Sequence, residues 1–185
     1  MAKSKKLPRG AAQNSPLWRA QIETPDGVFL AAFSACGLAR LDFPGRAEPA
    51  NTDAPEPIPA TREQKEWLKQ TRAAIAALLA GRTPKVFPPM DFSGGTPFQQ
   101  RVWQALRAIP RGETRSYGEL AHAVGAARAA RAVGAACGAN PVPLLVPCHR
   151  VLAANGKLGG FSGGPEWKPR LLRREGSWRD VKVSG

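Results

Sequence analysis

One cysteine in this sequence stands beside residues that could activate a thiol. Cys148 follows the apolar residues 144–146 and is separated from them only by a proline, and His149 and Arg150 come directly after it. Desolvation beside an apolar segment raises the pKa of a thiol, so nucleophilic chemistry needs a neighbouring base or positive charge. His149 could provide the base and Arg150 the charge. We therefore interpret Cys148 as an activated nucleophile, with an inert buried thiol as the alternative.

The other two cysteines give less reason to expect chemistry. Cys36 lies in a strand-like run and Cys137 in an Ala-rich segment, and we interpret both as small buried apolar side chains. Together with His122 and His149, the cysteines show neither the CxxC nor the HxxxH spacing of common zinc sites. The sequence therefore predicts free thiols in a reducing cytoplasm and no bound metal.

Positive charge is concentrated in the second half of the chain. The 185 residues carry a formal net charge of +13. Residues 92–185 contain 14 Lys and Arg against 5 Asp and Glu, a net +9, whereas residues 10–91 are neutral overall. This asymmetry predicts a polyanionic partner, and the excess of arginine over lysine favours phosphate contacts. A basic surface that confers only solubility is the alternative.

The first half of the chain is expected to form a small sheet and one helix. Three strands are predicted, at residues 17–22, 28–35 and 38–43. A Pro-Asp-Gly turn joins the first two strands. Residues 44–60 predict a loop, and a helix begins at Thr61, which forms a capping box with Gln64. Residues 82–95, rich in Pro and Gly, predict a linker.

The second half predicts a helix-turn-helix. Two of its helices open with a capping box, Thr96 with Gln99 and Ser116 with Glu119. A glycine turn separates the second of these from a helix predicted over residues 127–137, which consists almost wholly of small residues and places Arg128 and Arg131 on one face. Small residues allow close approach to DNA, and an Ala-rich packing helix with two solvated arginines is the alternative.

The sequence around Cys148 resembles a known signature. Residues 138–151, Gly-Ala-Asn-Pro-Val-Pro-Leu-Leu-Val-Pro-Cys-His-Arg-Val, resemble the active-site segment of the O6-alkylguanine-DNA alkyltransferases, also called methylated-DNA–protein-cysteine methyltransferases. Other segments agree with the family in order and spacing, at residues 98–103, 116–121, 129–134, 159–164 and 171–176. The resemblance is strong over residues 90–176 and weak over residues 1–89.

The resemblance, combined with the predicted elements, implies an α+β fold. A basic tail at residues 1–15 precedes an α/β N-terminal domain with a small antiparallel sheet, residues 16–89. The C-terminal domain, residues 90–185, is expected to be mainly helical with a winged-helix-like helix-turn-helix. No apolar run reaches the roughly 18 residues of a membrane span. The basic N-terminus lacks the apolar segment of a secretory signal.

The resemblance also implies DNA repair by direct reversal. Members of the family bind double-stranded DNA, flip the alkylated guanine out of the stack and transfer its O6-alkyl group to a cysteine. The transfer is irreversible, so each molecule acts once. No cofactor is needed, because the product is a stable thioether. The range of alkyl groups and activity on O4-alkylthymine are left open.

The resemblance assigns expected roles to the residues around the thiol. Cys148 is the alkyl acceptor, and His149 deprotonates it through a water. Glu175 orients that histidine and balances its charge, in the manner of a nucleophile, base and third group. Tyr117 donates a hydrogen bond to the guanine as it leaves. Asn140 holds the turn between the last helix of the helix-turn-helix and the active-site segment.

Two further sets of residues are expected to contact DNA. Arg131 fills the gap left by the flipped base, and the other DNA-binding positions are Arg128, Ser116, Ala130 and Gly134. The pocket for the base is expected to include the backbone carbonyls of Val146 and Cys148, together with Phe161, Ser162 and Gly159. Phe161 stands where some family members have tyrosine, so a hydroxyl contact from this position is absent.

The zinc ligands of some eukaryotic members are missing from this sequence. We therefore expect a metal-free bacterial protein of the cytoplasm, associated with the nucleoid through DNA, monomeric, with cooperativity on DNA left open. Two other functions compete with alkyl transfer. A non-enzymatic helix-turn-helix DNA binder or thiol-sensing regulator would use Arg128, Arg131 and an oxidisable Cys148. A cysteine hydrolase would need a distant histidine, for which the sequence offers His122.

Overall fold

Three strands near the N-terminus form an antiparallel sheet in the order β1-β2-β3. They are β1 (Trp18–Thr24), β2 (Gly27–Phe33) and β3 (Leu38–Asp42), and the predicted turn joins β1 to β2 in a register that pairs Thr24 with Gly27. The computed structural model describes residues 17–46, 59–154 and 156–177. The predicted basic tail and most of the predicted loop 44–60 lie outside the described residues.

The three predicted strands are confirmed, but the end of the second one was placed too late. Strand β2 ends at Phe33, where the register against β3 shifts. The Ser34 amide then donates to the Gly37 carbonyl at 2.9 Å, which closes a turn rather than extending the strand. Cys36 lies in this turn and is exposed. The expectation that Cys36 is buried is therefore wrong.

Each of the three predicted capping boxes is present at the start of a helix. Thr61, Thr96 and Ser116 cap α1 (Arg62–Leu79), α2 (Pro97–Arg107) and α3 (Tyr117–Ala123). In each case the cap side chain accepts the amide hydrogen of the third helical residue, whose own side chain accepts the amide hydrogen of the cap. These contacts span three residues, which is why sequence alone predicted them.

The second helix of the helix-turn-helix is shorter than predicted. Helix α4 (Ala130–Gly138) begins three residues later than expected, after Ala129, whose side chain cannot cap it. Arg128 lies in the turn before the helix. Arg128 and Arg131 therefore do not share a helical face, which corrects the prediction. The turn still places both arginines at the exposed start of α4.

A turn, a short strand and a helix follow α4. They position Cys148 and Glu175, and none of them was predicted from the sequence. A 3-10 turn at Cys148–Arg150 leads into β5 (Val151–Leu152), which pairs in parallel with β4 (Arg115–Ser116). Helix α5 (Trp167–Glu175) ends at Gly176, which adopts the left-handed conformation with φ of 76°. Through its pairing with β4, strand β5 thus connects the turn Cys148–Arg150, called the active-site turn below, to the start of α3.

The hydrophobic core is continuous between the two halves of the chain. The Phe43 ring lies 4.7 Å from the Trp167 ring and 5.4 Å from the Phe161 ring, measured between centroids. The segment predicted as a linker also pairs with β3, since the Leu38 amide donates to the Pro89 carbonyl at 2.8 Å. The division into domains at residues 89 and 90 stays a prediction. Among the described helices, none combines the length and apolar character needed to cross a membrane.

A half-buried aspartate in the β1–β2 turn joins the sheet to α5. The Asp26 carboxylate accepts hydrogen bonds from Arg174 at 2.5 and 3.0 Å and also pairs with Arg170. The hydrogen bonds from Arg174, opposed by burial, hold the pKa of Asp26 below its ordinary value of 3.8. This contact joins residues 148 positions apart in the chain.

We expect Asp26→Asn to reduce the free energy of unfolding by about 1–3 kcal/mol at neutral pH, since charge-assisted hydrogen bonds are lost. Because the pKa of Asp26 is lowered in the folded state, its contribution is present above its ordinary pKa and is lost as the pH falls through the folded value. Urea unfolding at neutral and acidic pH measures both effects. The control is Asp42→Asn, whose surface pair with Arg40 should contribute about 0–1 kcal/mol. Equal losses in the two variants would contradict the prediction.

Candidate active site

The segment between α4 and Cys148 is held by one buried amide side chain. Asn140 Nδ2 donates to the Val146 carbonyl at 2.8 Å and to Cys148 Sγ at 3.2 Å, and its Oδ1 accepts the Val142 amide at 3.1 Å. Leu144 adopts φ of 78°, a conformation that costs a leucine roughly 1–3 kcal/mol. The side chain of Asn140 thus spans a strained loop and reaches the thiol directly.

Behind the thiol, a buried carboxylate joins the next two residues. Glu175 Oε1 lies 3.1 Å from His149 Nε2 and 2.7 Å from Arg150 Nη2, while Oε2 accepts from Arg150 Nε at 2.9 Å. Arg150 Nη1 also donates to the Ile109 carbonyl at 2.6 Å. Burial opposes ionisation of Glu175, but the hydrogen bonds from His149 and Arg150 lower its pKa to about 2.

These contacts determine which nitrogen of His149 can act as a base. An ionised Glu175 only accepts hydrogen bonds, so the proton of a neutral imidazole resides on Nε2. His149 Nδ1, buried and without a hydrogen-bond partner among the described residues, then carries the lone pair. Burial lowers the pKa of His149 and Glu175 raises it, and the net shift is downward. His149 is therefore a neutral acceptor at neutral pH.

The Cys148 thiol is buried and protonated at rest. Burial raises its pKa to about 11, against the opposing effects of the Asn140 hydrogen bond and the positive charge of Lys168. Spontaneous ionisation in water is thus suppressed, and the proton must leave to a base as the reaction proceeds. Cys137 is also buried, as predicted, and burial raises the pKa of its thiol to about 12.

A cavity of about 350 Å³ opens onto the thiol, a size typical of small-molecule sites. Its walls come from α3, α4, the active-site turn and the loop before α5, and its lining residues are Tyr117, Gly134, Cys137, Gly138, Cys148, Gly160, Phe161 and Ser162. A second cavity, of about 520 Å³, lies against α1 and is lined by neither cysteine nor histidine. The smaller cavity therefore lies at the same place as the thiol, Cys148.

The Tyr117 hydroxyl lies against Gly159, at the start of the loop of residues 159–164. A Cβ atom at Gly159 would lie 3.3 Å from this hydroxyl, closer than such contacts normally come, whereas one at Gly134 would make an ordinary contact 3.8 Å from Tyr117 Cε1. Gly159, with φ of 65°, therefore leaves the space that the hydroxyl group occupies. Burial raises the pKa of Tyr117, so the phenol keeps its proton and can donate it in a hydrogen bond.

Some of the expected pocket residues line the cavity, whereas Val146 does not. Phe161 and Ser162 line the cavity, and the Phe161 ring meets the His149 ring edge to face at 6.3 Å. Val146 is fully buried, and its carbonyl already accepts from Asn140 Nδ2 and from the Cys148 amide at 2.8 Å each. A carbonyl oxygen has two lone pairs, so a base could bind Val146 only by displacing one of these donors.

The expected DNA-contacting residues lie on α4, at the cap of α3 and in the turn between these two helices. Arg131 precedes Gly134 by three residues on α4, so the exposed arginine and the cavity wall share a helical face. Ala130 begins the same helix, and Ser116 caps α3. Arg128 is exposed in the connecting turn. The cavity itself is lined by the middle and end of α4, at Gly134, Cys137 and Gly138.

One buried residue near the active-site turn was not predicted from the sequence. Lys168 is 1% exposed, and its Nζ donates to the Val151 carbonyl at 2.7 Å. The available signal was periodicity, because Lys168, Leu171, Leu172 and Glu175 recur at helical spacing and place both charges on an apolar face. Among the described residues, no cluster of three or more His, Cys, Asp or Glu side chains could hold a metal.

Comparisons with known proteins agree with this architecture. The family described as 6-O-methylguanine DNA methyltransferase, DNA binding domain, matches residues 97–177. A methylated-DNA–protein-cysteine methyltransferase of Methanosarcina acetivorans is 40% identical over 162 residues, 87% of this chain and 99% of the relative. A crystal structure of the Mycobacterium tuberculosis O6-methylguanine methyltransferase has a TM-score of 0.72 and 38% identity, covering 91% of this chain and 98% of that one.

The M. tuberculosis protein in complex with DNA gives a TM-score of 0.67 at 41% identity, covering 85% of this chain and 91% of that one. A Salmonella typhimurium relative, also named methylated-DNA–protein-cysteine methyltransferase, is 61% identical over 102 residues. That match covers 55% of this chain but only 60% of the relative. Together these likenesses show that the chain belongs to the methylated-DNA–protein-cysteine methyltransferase family, as its sequence motifs predicted, and that its fold is the mixed α+β fold of these proteins.

We expect Glu175→Gln to lower the free energy of unfolding by about 3–5 kcal/mol, because it leaves the buried Arg150 without a counter-charge. The wild-type contribution should be complete above the ordinary glutamate pKa of 4.5 and should fade as the pH falls towards about 2. Urea unfolding across this range tests both points. Glu113→Gln, which breaks an exposed pair with Arg115, is the matched control and should cost about 0–1 kcal/mol.

Proposed function

We propose that this protein repairs alkylated DNA by transferring the alkyl group of O6-alkylguanine irreversibly to Cys148. The observation that supports this most strongly is the position of Cys148 Sγ, which lines the cavity while His149 and Glu175 form a hydrogen-bonded pair behind it. The relatives named above carry a name that specifies the same reaction. No organic cofactor enters the reaction, because the acceptor is the protein's own sulfur.

The transfer is a single displacement at the alkyl carbon. Cys148 Sγ forms a bond to that carbon as the bond to guanine O6 breaks, and its electron pair stays with the guanine. The thiol proton passes to His149 Nδ1 through a water, and Glu175 stabilises the resulting imidazolium. Tyr117 donates a hydrogen bond to the departing guanine. The thioether product has no leaving group comparable to guanine, so each protein molecule reacts once.

Duplex DNA containing an alkylated guanine is the proposed partner. A base inside the stack cannot reach a buried thiol, so it must rotate out of the helix into the cavity. Arg131, on the face of α4 that leads to the cavity, fills the space that the base leaves. Arg128, Ser116, Ala130 and Gly134, on the turn and the two helices, would approach the DNA backbone. Asn140 keeps the loop and the sulfur in register during the reaction.

In the pocket, Gly159, Phe161 and Ser162 would contact the alkylated guanine, with Ser162 close to O6. The Cys148 carbonyl, and Val146 after displacement of a donor, would read the edge of the base. We further propose that the protein acts as a monomer in the bacterial cytoplasm, where thiols remain reduced.

The two competing functions are less consistent with the site. A thiol sensor depends on an exposed thiolate, whereas Cys148 is 5% exposed and burial raises its pKa. A cysteine hydrolase that used His122 would need that side chain at the thiol, but His122 is exposed and does not line the cavity.

Incubation with duplex DNA containing O6-methylguanine should increase the protein mass by one methyl group, located on the peptide that contains Cys148. Cys148→Ala should bind the same DNA with little loss of affinity and show no transfer. Cys36→Ala is the matched control and should react as the wild type does, since Cys36 lies in the β2–β3 turn. Methyl transfer to Cys36 or Cys137 would overturn the assignment.

We expect Arg131→Ala to slow transfer from duplex DNA by about tenfold or more while changing affinity less. The loss should be smaller on single-stranded DNA, where no base has to leave the stack. Arg128→Ala should instead lower affinity and reduce the salt dependence by about one phosphate contact. Binding titrations at several salt concentrations and single-turnover rates separate the two roles. Identical effects of both variants would contradict them.

A further inference from the structure

Lys168 is a buried cation that takes part in no step of the proposed mechanism. It lies in the first turn of α5 with 1% of its surface exposed. Among the described residues, no carboxylate forms an ion pair with it, and the hydrogen bond of its Nζ goes to the neutral Val151 carbonyl. A buried ammonium without a counter-charge is costly. An anion that forms nearby would offset this cost and favour the charged form of Lys168.

Lys168 is bonded close to the turn that carries Cys148. Val151, which accepts the Lys168 hydrogen bond, directly follows the turn Cys148–Arg150. Cys148 and Cys137 are the titratable groups whose charges act on Lys168 and raise its pKa, against the larger lowering effect of burial. Of these two thiols, Cys148 is the one beside a base.

Helix α5 therefore presents two opposite charges to one short turn. Lys168 and Glu175 are seven residues apart, which places them two turns apart on the same face. Glu175 contacts His149 and Arg150, and Lys168 contacts the residue that follows Arg150. When a proton moves from Cys148 to His149, the imidazolium forms beside the carboxylate and the thiolate forms near the ammonium. Each new charge then has a partner of opposite sign.

We propose that Lys168 is the counter-cation of the Cys148 thiolate and lowers the free energy of the ionised state from which sulfur attacks. This inference rests on the proposed function, because it gives a charge partner to the same thiol. No atom is transferred to or from Lys168, whose three N–H bonds remain intact. It acts through its charge rather than by touching the alkylated base.

Other ionisable groups around Lys168 shape the expected pH behaviour. Cys137 on α4, Tyr117 on α3 and the pair His149–Arg150 face the same region. The positive charge of Lys168 also adds to burial in lowering the pKa of His149. Loss of this charge should therefore raise the pKa of both Cys148 and His149, and the thiol can be followed by itself through its chemical reactivity.

The test measures the reactivity of Cys148 without DNA. Wild type, Lys168→Met and Lys168→Arg are treated with iodoacetamide over a range of pH, and the alkylated peptides are quantified by mass spectrometry. Exposed Cys36 serves as the internal reference in each sample. We expect Lys168→Met to slow alkylation of Cys148 relative to Cys36 by about tenfold, equivalent to one pKa unit. Lys168→Arg, which keeps the charge, should stay within about threefold of the wild type.

The sign of the effect separates a charge role from a packing role. If Lys168 merely supported the packing of the loop, its removal would hydrate the thiol, lower its pKa and speed alkylation. An unchanged or faster reaction in Lys168→Met would therefore overturn the proposal, as would equal slowing in Lys168→Arg. Circular dichroism checks the fold of each variant. Lys168→Gln, which retains a donor for Val151, replaces Lys168→Met if the latter does not fold.

Methyl transfer from DNA, measured separately, distinguishes this inference from the proposed function. A wild-type protein that accepts no methyl group would refute alkyl transfer, yet the iodoacetamide result would still decide the role of Lys168. Conversely, an active wild type whose thiol reactivity is insensitive to Lys168→Met would refute only the counter-cation.

Discussion

The Glu175 carboxylate accepts hydrogen bonds from both residues that follow Cys148, and the arrangement of the site depends on this contact. It neutralises the buried Arg150, whose remaining bond to the Ile109 carbonyl attaches the active-site turn to the end of α2. It also assigns the proton of His149 to Nε2, which leaves Nδ1 as the acceptor. The ionised carboxylate of Glu175 thus fixes the position of the active-site turn and determines which nitrogen of His149 can accept a proton.

The N-terminal half acts on this site through α5. Asp26 in the β1–β2 turn binds Arg174, the residue next to Glu175, and Phe43 packs on Trp167, the residue next to Lys168. Both ends of α5, the helix that carries Lys168 and Glu175, are therefore held by the small sheet. This gives the sheet a structural task in a protein whose sequence motifs lie almost entirely in the second half.

The positive charges of the second half of the chain lie in two different environments, on the surface and in the interior. The net +9 of residues 92–185 favoured a polyanionic partner, and Arg128 and Arg131 are exposed where α4 begins. Arg150 and Lys168, however, are buried, and Arg174 is engaged with Asp26. Part of the excess charge thus lies inside the protein or in ion pairs, and the basic surface is smaller than the net charge indicates.

By itself, the sequence determined the features that depend on neighbours a few residues apart. The three capping boxes and the β1–β2 turn follow from contacts over three residues. His149 is the neighbour of Cys148 in the sequence itself. The resemblance to a family added Glu175 and Tyr117. Only the tertiary structure decided that α4 begins after Arg128, that Cys36 is exposed and that the Val146 carbonyl is already occupied. It alone showed that Lys168 is buried against the Val151 carbonyl and that Asp26 binds Arg174. Burial and ion pairing between residues far apart in the chain arise only when the elements pack together.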